Sequence, residues 1–311
     1  MESNVNDIIL QTKGLGKRFG KRWAVKNLDL DVFRGDVFGF LGPNGAGKST
    51  TLRMILSLIK PTIGETLIFG HSLRSHRSEA LRQVGGIVEK PDFYLYLSAF
   101  KNLEIVGSYF GGVHRNRIQE LLSLVGLSDR AKDRVKTFSH GMKQRLGIAQ
   151  ALLSDPELVI LDEPTNGLDP QGMKEVRDLI LHLSRDRKKT VIISSHLLSE
   201  IELVANRMVI INKGEKVVQG DVNTLLEKGE KYVILHAEPK KKALSLLKRQ
   251  KKVIQAIIEQ NECFHVKMDF EEIPRLTKHL VQAGVQIHAI VPRRSLEDLF
   301  LSMTENANEV R

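Results

Sequence analysis

The sequence predicts an α/β fold with a mostly parallel sheet, a helical insertion and a smaller α+β unit towards the C-terminus. Apolar runs suited to buried strands alternate with helical patterns through residues 1–228, which favours a parallel sheet. Residues 98–153 are mostly helical in pattern, and the order of elements changes near Gly229. With 311 residues, 41% of them hydrophobic, the chain can bury at least one sizeable core.

The first domain, residues 1–228, begins with two strand-like runs, IILQTK and WAVKNLDLDVF. The segment VFGFLGPNGAGKSTTLRMILSL predicts a strand, a glycine loop and a helix whose buried stripe holds Leu52, Ile55, Leu56 and Ile59. VGGIVE predicts a buried strand that ends at an acid. After the insertion come the strand LVIL with its acidic loop, a helix from about Gly172, the strand TVIISSH, a short helix and two short strands around Gly214.

The second domain is predicted over residues 231–304, with a tail at 305–311. Its expected order is strand YVILHA, a helix, strand VIQAII, a turn at Gln260–Asn261, strand CFHVKMD, helix IPRLTKHLVQAG, strand VQIHAIV and helix LEDLFLSM. This pattern indicates a compact α+β unit, and its sequence contains no predicted catalytic constellation.

Composition excludes several classes of protein. The sequence has no run of 18 or more uncharged apolar residues, and MESNVNDIIL lacks the pattern of a secretory signal, so a membrane-spanning or secreted protein is not expected. Cys263 is the only cysteine, which excludes a disulfide framework and a cysteine metal cage. Together these features favour the cytoplasm.

The formal net charge of +10 allows plain solubility, nucleic acid or an anionic membrane surface as its explanation. The densest basic patch lies on the predicted helix EPKKKALSLLKRQKK, which we interpret as a solvated helix face. Aromatic residues do not interleave with it, so the pattern of single-strand stacking is missing and no nucleic acid partner is expected.

Residues 42–49, GPNGAGKS, match the phosphate-binding pattern G-x-x-x-x-G-K-[ST] between a strand and a helix. Glycines let backbone N–H groups close around phosphate oxygens, and the helix N-terminus adds positive potential. Lys48 is expected to reach the β- and γ-phosphates, and Ser49 to bind Mg²⁺. A glycine-rich turn with a chance lysine is the alternative, and both correct flanks argue against it. The predicted nucleotide-binding residues of this loop are Gly42, Pro43, Asn44, Gly45, Ala46, Gly47, Lys48, Ser49 and Thr50.

The segment LVILDEP places two acids at the end of an apolar strand. A P-loop needs a metal-holding acid on a neighbouring strand, and Asp162 is predicted to have that role. Glu163 is placed to act as general base towards the attacking water. The alternative for Asp162 and Glu163 is that they are merely a charged strand end, and the presence of the P-loop argues against this alternative. His196 follows a strand end where open α/β sheets bind ligands, so a γ-phosphate contact is favoured over a structural histidine.

Further segments resemble the nucleotide-binding subunits of ABC transporters. FSHGMKQRLGIAQALL, residues 138–153, is similar to that family's signature segment, and Gly167-Leu168-Asp169 to its D-loop. His196 resembles the switch histidine, and Phe19, in LGKRFGKRWAV, falls where the family has an aromatic that stacks on adenine. The resemblance covers roughly residues 6–228. It implies a P-loop NTPase fold of the ABC type, with ATP and Mg²⁺ as cofactors.

The resemblance also implies that two subunits pair head to tail, with each ATP between the P-loop of one chain and the signature segment of the other. This chain has one motif set, so a second ATP-binding subunit is expected, most simply in a homodimer. Ser139 and Gly141 would then touch the partner's γ-phosphate, and Asp169 of the D-loop would complete the nucleotide site. His140 is expected to point outward. The signature departs from the common L-S-G-G-Q at Phe138, His140 and Met142.

Glu89 ends the predicted strand VGGIVE, where the family has a glutamine that contacts the metal or water. Glutamate followed by Pro91, Phe93 and Tyr94 resembles the transporters of bacitracin resistance and lantibiotic immunity. Glu89 is therefore predicted to belong to the catalytic and metal site and to couple it to the membrane subunit. A solvated strand-end residue is the alternative.

These resemblances imply an ATP-hydrolysing subunit of an export complex, bound peripherally to the inner face of the cell membrane through a separate transmembrane permease. The expected substrate is a drug, a peptide antibiotic or a lipid-like molecule. One alternative is a soluble ABC-superfamily ATPase acting on ribosomes or nucleic acid, although such chains usually carry two motif sets or a long coiled coil. Another is a regulator that binds nucleotide without turnover, which Glu163 and His196 argue against.

Overall fold

The computed structural model describes residues 8–89, 91–228, 230–250, 254–260 and 263–295. The chain divides into two compact units, one ending at Val222 and the other beginning at Asn223. The predicted boundary at residues 228–231 lies a few residues further along the chain.

The first unit contains two sheets. Its strands, in chain order, are β1 (Ile8–Phe19), β2 (Arg22–Phe33), β3 (Val37–Leu41), β4 (Ile63–Ile68), β5 (His71–Ser72), β6 (Val84–Ile87), β7 (Leu158–Leu161), β8 (Thr190–Ser195), β9 (Arg207–Asn212) and β10 (Glu215–Asp221). One sheet is antiparallel with the order β2-β1-β4-β5, and the other has the order β10-β9-β3-β8-β7-β6. In the second sheet β10 is antiparallel to β9, and the remaining neighbours are parallel. The predicted parallel sheet is thus present, accompanied by an antiparallel sheet.

The helices of this unit pack around the sheets and form the insertion. They are α1 (Lys48–Ile55), α2 (Arg77–Leu81), α3 (Ala99–Ser108), α4 (Arg115–Leu124), α5 (His140–Ala151), α6 (Pro170–Arg185) and α7 (Leu198–Val204). Helices α3, α4 and α5 lie in the predicted helical segment. Helix α6 begins two residues before the predicted Gly172, because the Asp169 side chain caps it by accepting a hydrogen bond from the Gly172 backbone N–H.

The register of the parallel strands brings the site residues to one edge. Leu41 pairs with Ser195 across β3 and β8, and Leu161 pairs with Ile193 across β7 and β8. The loops that follow β3, β7 and β8 therefore leave the sheet side by side. Ligands bind at this carboxyl edge in open parallel sheets.

Helix α1 packs on the core of the first unit through the predicted stripe. Leu52 and Ile55 are buried, while Leu56 and Ile59 are partly buried against the same core. The regular helix nevertheless ends at Ile55, about one turn earlier than the sequence suggests, since Ser57 adopts a left-handed φ of 55°.

The second unit combines a four-stranded antiparallel sheet with helices. Its elements are α8 (Val222–Lys228), whose first residue ends the first unit, β11 (Glu230–Glu238), α9 (Lys240–Arg249), β12 (Ala256–Gln260), β13 (Cys263–Lys267), α10 (Ile273–Gln282) and β14 (Gln286–Ser295). The strand order is β12-β13-β11-β14. Apolar residues of α9 and α10 pack on one face of this sheet, with Leu247, Leu280 and Phe264 at the centre of the core.

Some predictions fall on residues outside the described ranges. The predicted helix LEDLFLSM and the tail 305–311 lie there entirely, as do Asn261 of the predicted turn and Val253 of the predicted strand VIQAII. Among the described residues, every helix is too short or too polar to cross a bilayer.

Candidate functional site

The glycine loop connects β3 to α1 and closes around the ammonium group of Lys48. Gly47 has φ of 105°, and a Cβ there would lie 2.5 Å from the carbonyl oxygen of Ala24, so this position requires glycine. Lys48 is buried, and its Nζ donates hydrogen bonds to the carbonyls of Gly42 at 2.7 Å and Pro43 at 3.3 Å. The loop and the N-terminus of α1 form a cradle of the kind that binds phosphate.

The two acids after β7 are fixed by a neighbour on β8. The buried Ser194 hydroxyl donates a hydrogen bond to Asp162 Oδ1 and accepts one from the backbone N–H of Glu163 at 2.8 Å. Asp162 is itself buried. Glu163 adopts a left-handed φ of 49°, an uncommon conformation for this residue type, and the serine contact helps to hold it.

The Glu163 carboxylate lies between two cationic or potentially cationic groups. Its Oε1 is 3.2 Å from Lys48 Nζ, and its Oε2 is 2.8 Å from His196 Nδ1. Glu163 and His196 are only partly buried, so solvent reaches this cluster. The P-loop lysine, the predicted base and the predicted histidine are therefore neighbours, although they follow three different strands, β3, β7 and β8.

The residues predicted to bind Mg²⁺ through oxygen line one cavity. Ser49, Asp162 and Glu89 line a cavity of about 520 Å³ that Glu163 also lines. Within the described ranges no group of three or more His, Cys, Asp or Glu side chains is arranged to hold a metal by itself. One or two carboxylates with a hydroxyl fit Mg²⁺, because that ion keeps waters and completes its shell with substrate phosphates.

Glu89 follows β6 and contacts Arg53, which the sequence motifs do not indicate. Its carboxylate forms an ion pair with the guanidinium of Arg53 on α1. Glu89 is 64% exposed and has a left-handed φ of 72°. It thus borders the predicted site, while its charge is balanced by Arg53.

The predicted signature residues lie in a second cavity. Ser139, Gly141 and Asp169 line a space of about 370 Å³ that excludes Lys48 and Glu163. The Ser139 hydroxyl caps α5 by accepting a hydrogen bond from Met142 N at 3.2 Å. Ser139 and Gly141 therefore line a different cavity from Ser49 and Glu163 of the same chain.

His140 lines both cavities. Its ring is exposed, as the sequence suggests, and its Nε2 also lies 3.2 Å from the carbonyl oxygen of Asn166. The side chain thus connects the start of α5 with the segment that precedes Gly167, a contact that the sequence analysis does not name.

Phe19 ends β1 at the tip of a hairpin and is 53% exposed. Lys17 Nζ lies 5.2 Å from the centre of its ring. The hairpin borders the P-loop, since the Ala24 carbonyl lies against Gly47. An exposed aromatic ring on a hairpin that borders the P-loop is suited to stacking on a base.

The ABC transporter family profile matches residues 25–166. A relative, the bacitracin transport ATP-binding protein BcrA of Bacillus licheniformis, is 42% identical over 95% of this chain and 97% of its own length. This chain belongs to the family of ABC transporter ATP-binding proteins. The lantibiotic transport ATP-binding protein SrtF of Streptococcus pyogenes is 41% identical over 68% of this chain and 90% of its own length.

A solved ABC cassette has the same fold as most of this chain. The dimeric post-hydrolysis state of the ATP-binding cassette MJ0796, bound to ADP and Pi, aligns with a TM-score of 0.62 and 26% identity. The alignment covers 69% of this chain and 99% of that one. The predicted fold class and the family resemblance are thus confirmed, and the chain is an ATP-binding cassette of the ATPase class that serves transporters.

Besides the contact of His140 with Asn166, the contacts made by Ser194 and Arg53 in this ABC site were not predicted from the sequence. Ser194 lies 32 residues from Asp162, and Arg53 lies 36 residues from Glu89. A weak signal exists for the serine, because polar residues end the otherwise apolar strand TVIISS, which lies next to the strand that precedes the predicted metal ligand Asp162. For Arg53 the helical pattern places a cation one turn after Ser49, without indicating which acid it contacts.

Proposed function

We propose that this chain binds and hydrolyses Mg·ATP to drive an export complex. The observation that best supports this proposal is the cluster in which Glu163 lies between Lys48 and His196. In the same cluster, the Ser194 hydroxyl donates a hydrogen bond to Asp162. The cluster supports hydrolysis over the alternative of a nucleotide-binding regulator, because a regulator needs no placed base.

The residues of the candidate site have separate roles in binding and hydrolysis. The loop from Gly42 to Thr50 binds the phosphates, and Phe19 stacks on adenine. Ser49, Asp162 and Glu89 hold Mg²⁺, which, when bound, neutralises charge on the phosphate oxygens. His196 contacts the γ-phosphate.

Glu163 acts as the general base at its carboxylate oxygens. A triphosphate attracts the Lys48 ammonium, so that Glu163 loses one of its two partners and can accept a proton from the attacking water. His196 keeps the carboxylate oriented through its contact with Oε2. These steps need a Glu163 carboxylate that water can reach, and this side chain is 20% exposed.

The second half of the site comes from another copy of the chain. Ser139, Gly141 and Asp169 form a surface separate from Lys48, which supports a head-to-tail homodimer in which each signature segment faces the partner's nucleotide. The related cassette MJ0796 is dimeric with ADP and Pi. A two-fold arrangement of this kind creates two equivalent sites.

The partner that moves the substrate is a separate transmembrane permease, and the chain associates peripherally with the inner face of the membrane. Relatives named for bacitracin and lantibiotic transport support a peptide antibiotic as substrate, with a drug or a lipid-like molecule as related classes. The domain division at residues 1–228, 231–304 and 305–311 is part of this proposal.

Co-production with a membrane protein of about six apolar spans tests export. The wild-type pair should raise the inhibitory concentration of bacitracin or a lantibiotic several-fold, while a pair with Lys48→Ala should not. An actively hydrolysing complex that protects against neither class would contradict export of peptide antibiotics. Co-sedimentation with ribosomes without membrane association would support the ribosomal alternative.

A further inference from the structure

Arg53 and Ser49 lie on the same side of α1. They are four residues apart, and side chains at this spacing are neighbours on a helix. Arg53 is about one-third exposed, and its guanidinium reaches across to the Glu89 carboxylate beyond the end of β6. Helix α1 therefore carries Ser49, a predicted metal ligand, and Arg53, which is paired with Glu89, another predicted metal ligand.

Glu89 thereby has two possible partners of positive charge. Its carboxylate is paired with Arg53, and the residue also lines the cavity shared by Ser49, Asp162 and Glu163. An unpaired carboxylate there would repel a triphosphate, whereas a divalent cation would attract it. The contact with Arg53 is made by Oε1 of Glu89, so a metal ion that binds this oxygen competes with the guanidinium for it.

We propose that Arg53 is a positioning residue that holds Glu89 away from the metal until Mg·ATP competes for the carboxylate. The inference rests on the proposed Mg·ATP site and adds a regulatory partner to it. Arg53 neutralises the charge of the Glu89 carboxylate as long as no nucleotide is bound. Part of the intrinsic affinity for Mg·ATP is then used to separate the ion pair, which lowers the apparent affinity.

A change of partner at Glu89 would affect helix α5, which carries the signature segment. Pro91, two residues after Glu89, packs on Gly147 of α5, where a Cβ would lie 2.8 Å from Pro91 Cβ. Helix α5 carries Ser139 at its N-terminus. A shift of Glu89 from Arg53 towards the metal therefore acts on a segment in tight contact with the helix that bears the signature.

Binding of a fluorescent ATP analogue, with Mg²⁺ and with EDTA, tests this exchange. Arg53→Gln should tighten Mg·analogue binding by about 1.5- to fivefold, the range expected when an exposed ion pair no longer competes. Loss of a cation ordinarily weakens binding of a polyanion, so tightening is diagnostic. In EDTA the same variant should bind more weakly, because Glu89 is then unpaired and repels the triphosphate.

The same substitution in a Glu89→Gln background should not tighten Mg·analogue binding. Arg53→Met serves as a second neutral variant, and Arg53→Lys, which keeps the charge, should remain close to wild type. Arg130→Gln is the matched control, since it removes an exposed Arg130–Asp133 ion pair elsewhere in the first unit.

Two results would contradict the proposed competition for Glu89. If Arg53→Gln and Arg53→Met weaken Mg·analogue binding, or change it equally with glutamate and glutamine at position 89, the competition does not exist. If the wild-type chain binds no nucleotide, the proposed function fails, and this inference fails with it.

Discussion

Ser194 shows how one buried hydroxyl fixes two functional acids. It bonds the Asp162 carboxylate and the backbone N–H of Glu163, and both acids lie at the end of β7. A buried polar group that loses its partner costs about 1–3 kcal/mol. The positions of both acids therefore depend on a residue outside their motif.

Ser194→Ala should lower ATP turnover by roughly tenfold or more, because about 1.4 kcal/mol of lost positioning corresponds to a factor of ten. Ser195→Ala is the matched control, since the Ser195 hydroxyl accepts from Leu197 N and does not contact either acid in the described structure. Phosphate release by the two variants is the measurement. Equal turnover of the two would show that Ser194 does not position the acids.

At the residue scale, contiguous motifs could be predicted and contacts across the chain could not. Lys48, Asp162 and Glu163 stand in short patterns whose chemistry is readable without coordinates. The Arg53–Glu89 ion pair joins residues from α1 and the end of β6, and only the three-dimensional packing selects that partner. The same reason hides the contact between His140 and the Asn166 carbonyl.

Among the elements, Asp155 joins α4 to the loops before β7 and β8. Its Oδ1 accepts from Lys189 Nζ at 2.7 Å and pairs with Arg117 at 3.1 Å. Hydrogen bonding to Lys189 holds the pKa of the Asp155 carboxyl below its ordinary value of 3.8, and the charges of Lys189 and Arg117 add to that effect. Asp155 has φ of 53°, a conformation that asparagine tolerates.

Asp155→Asn should lower the free energy of unfolding at pH 7 by less than about 1 kcal/mol, since the carboxylate is largely exposed. A lowered carboxyl pKa contributes stability above the unfolded-state value, and that contribution is lost as pH falls through the folded-state value. The difference between wild type and variant should therefore shrink below about pH 4. Urea unfolding at several pH values measures it, and an equal difference at pH 7 and pH 3 would exclude an ionic cause.

The sequence predicts the parallel elements better than the antiparallel ones. Strands β3, β7 and β8 are buried on both faces and appear as continuous apolar runs. Strand β4 begins with two exposed residues, among them Ile63 at 46%, before partly buried and buried residues alternate, and its pairing with β1 contains a register shift. Such a strand is defined by its partner, so its sequence alone gives a weak signal.

For the whole molecule, the proposed homodimer predicts that one chain completes the nucleotide site of the other, because Ser139 and Gly141 line a cavity that Lys48 and Glu163 do not line. Mixtures of inactive variants test it, because Ser139→Arg spares the P-loop and Lys48→Ala spares the signature segment. Each variant alone should be inactive, whereas an equal mixture should recover about a quarter of wild-type hydrolysis, since half of the dimers carry one intact site. Recovery should be measured after subunit exchange.

A mixture of Lys48→Ala and Glu163→Gln is the matched control. Both substitutions affect the half of the site that comes from one chain, so no mixed dimer contains an intact site. Equal recovery in the two mixtures, or none in either, would argue against a site shared between chains.

Single-turnover hydrolysis by Glu163→Gln tests the central claim most directly, namely that this chain hydrolyses ATP with Glu163 as general base. The substitution preserves shape and removes the group that accepts the proton. ATP should still bind, the rate should fall by roughly two to four orders of magnitude, and an ATP-bound dimer should accumulate. Hydrolysis by Glu163→Gln at a rate near that of the wild type would contradict the claim.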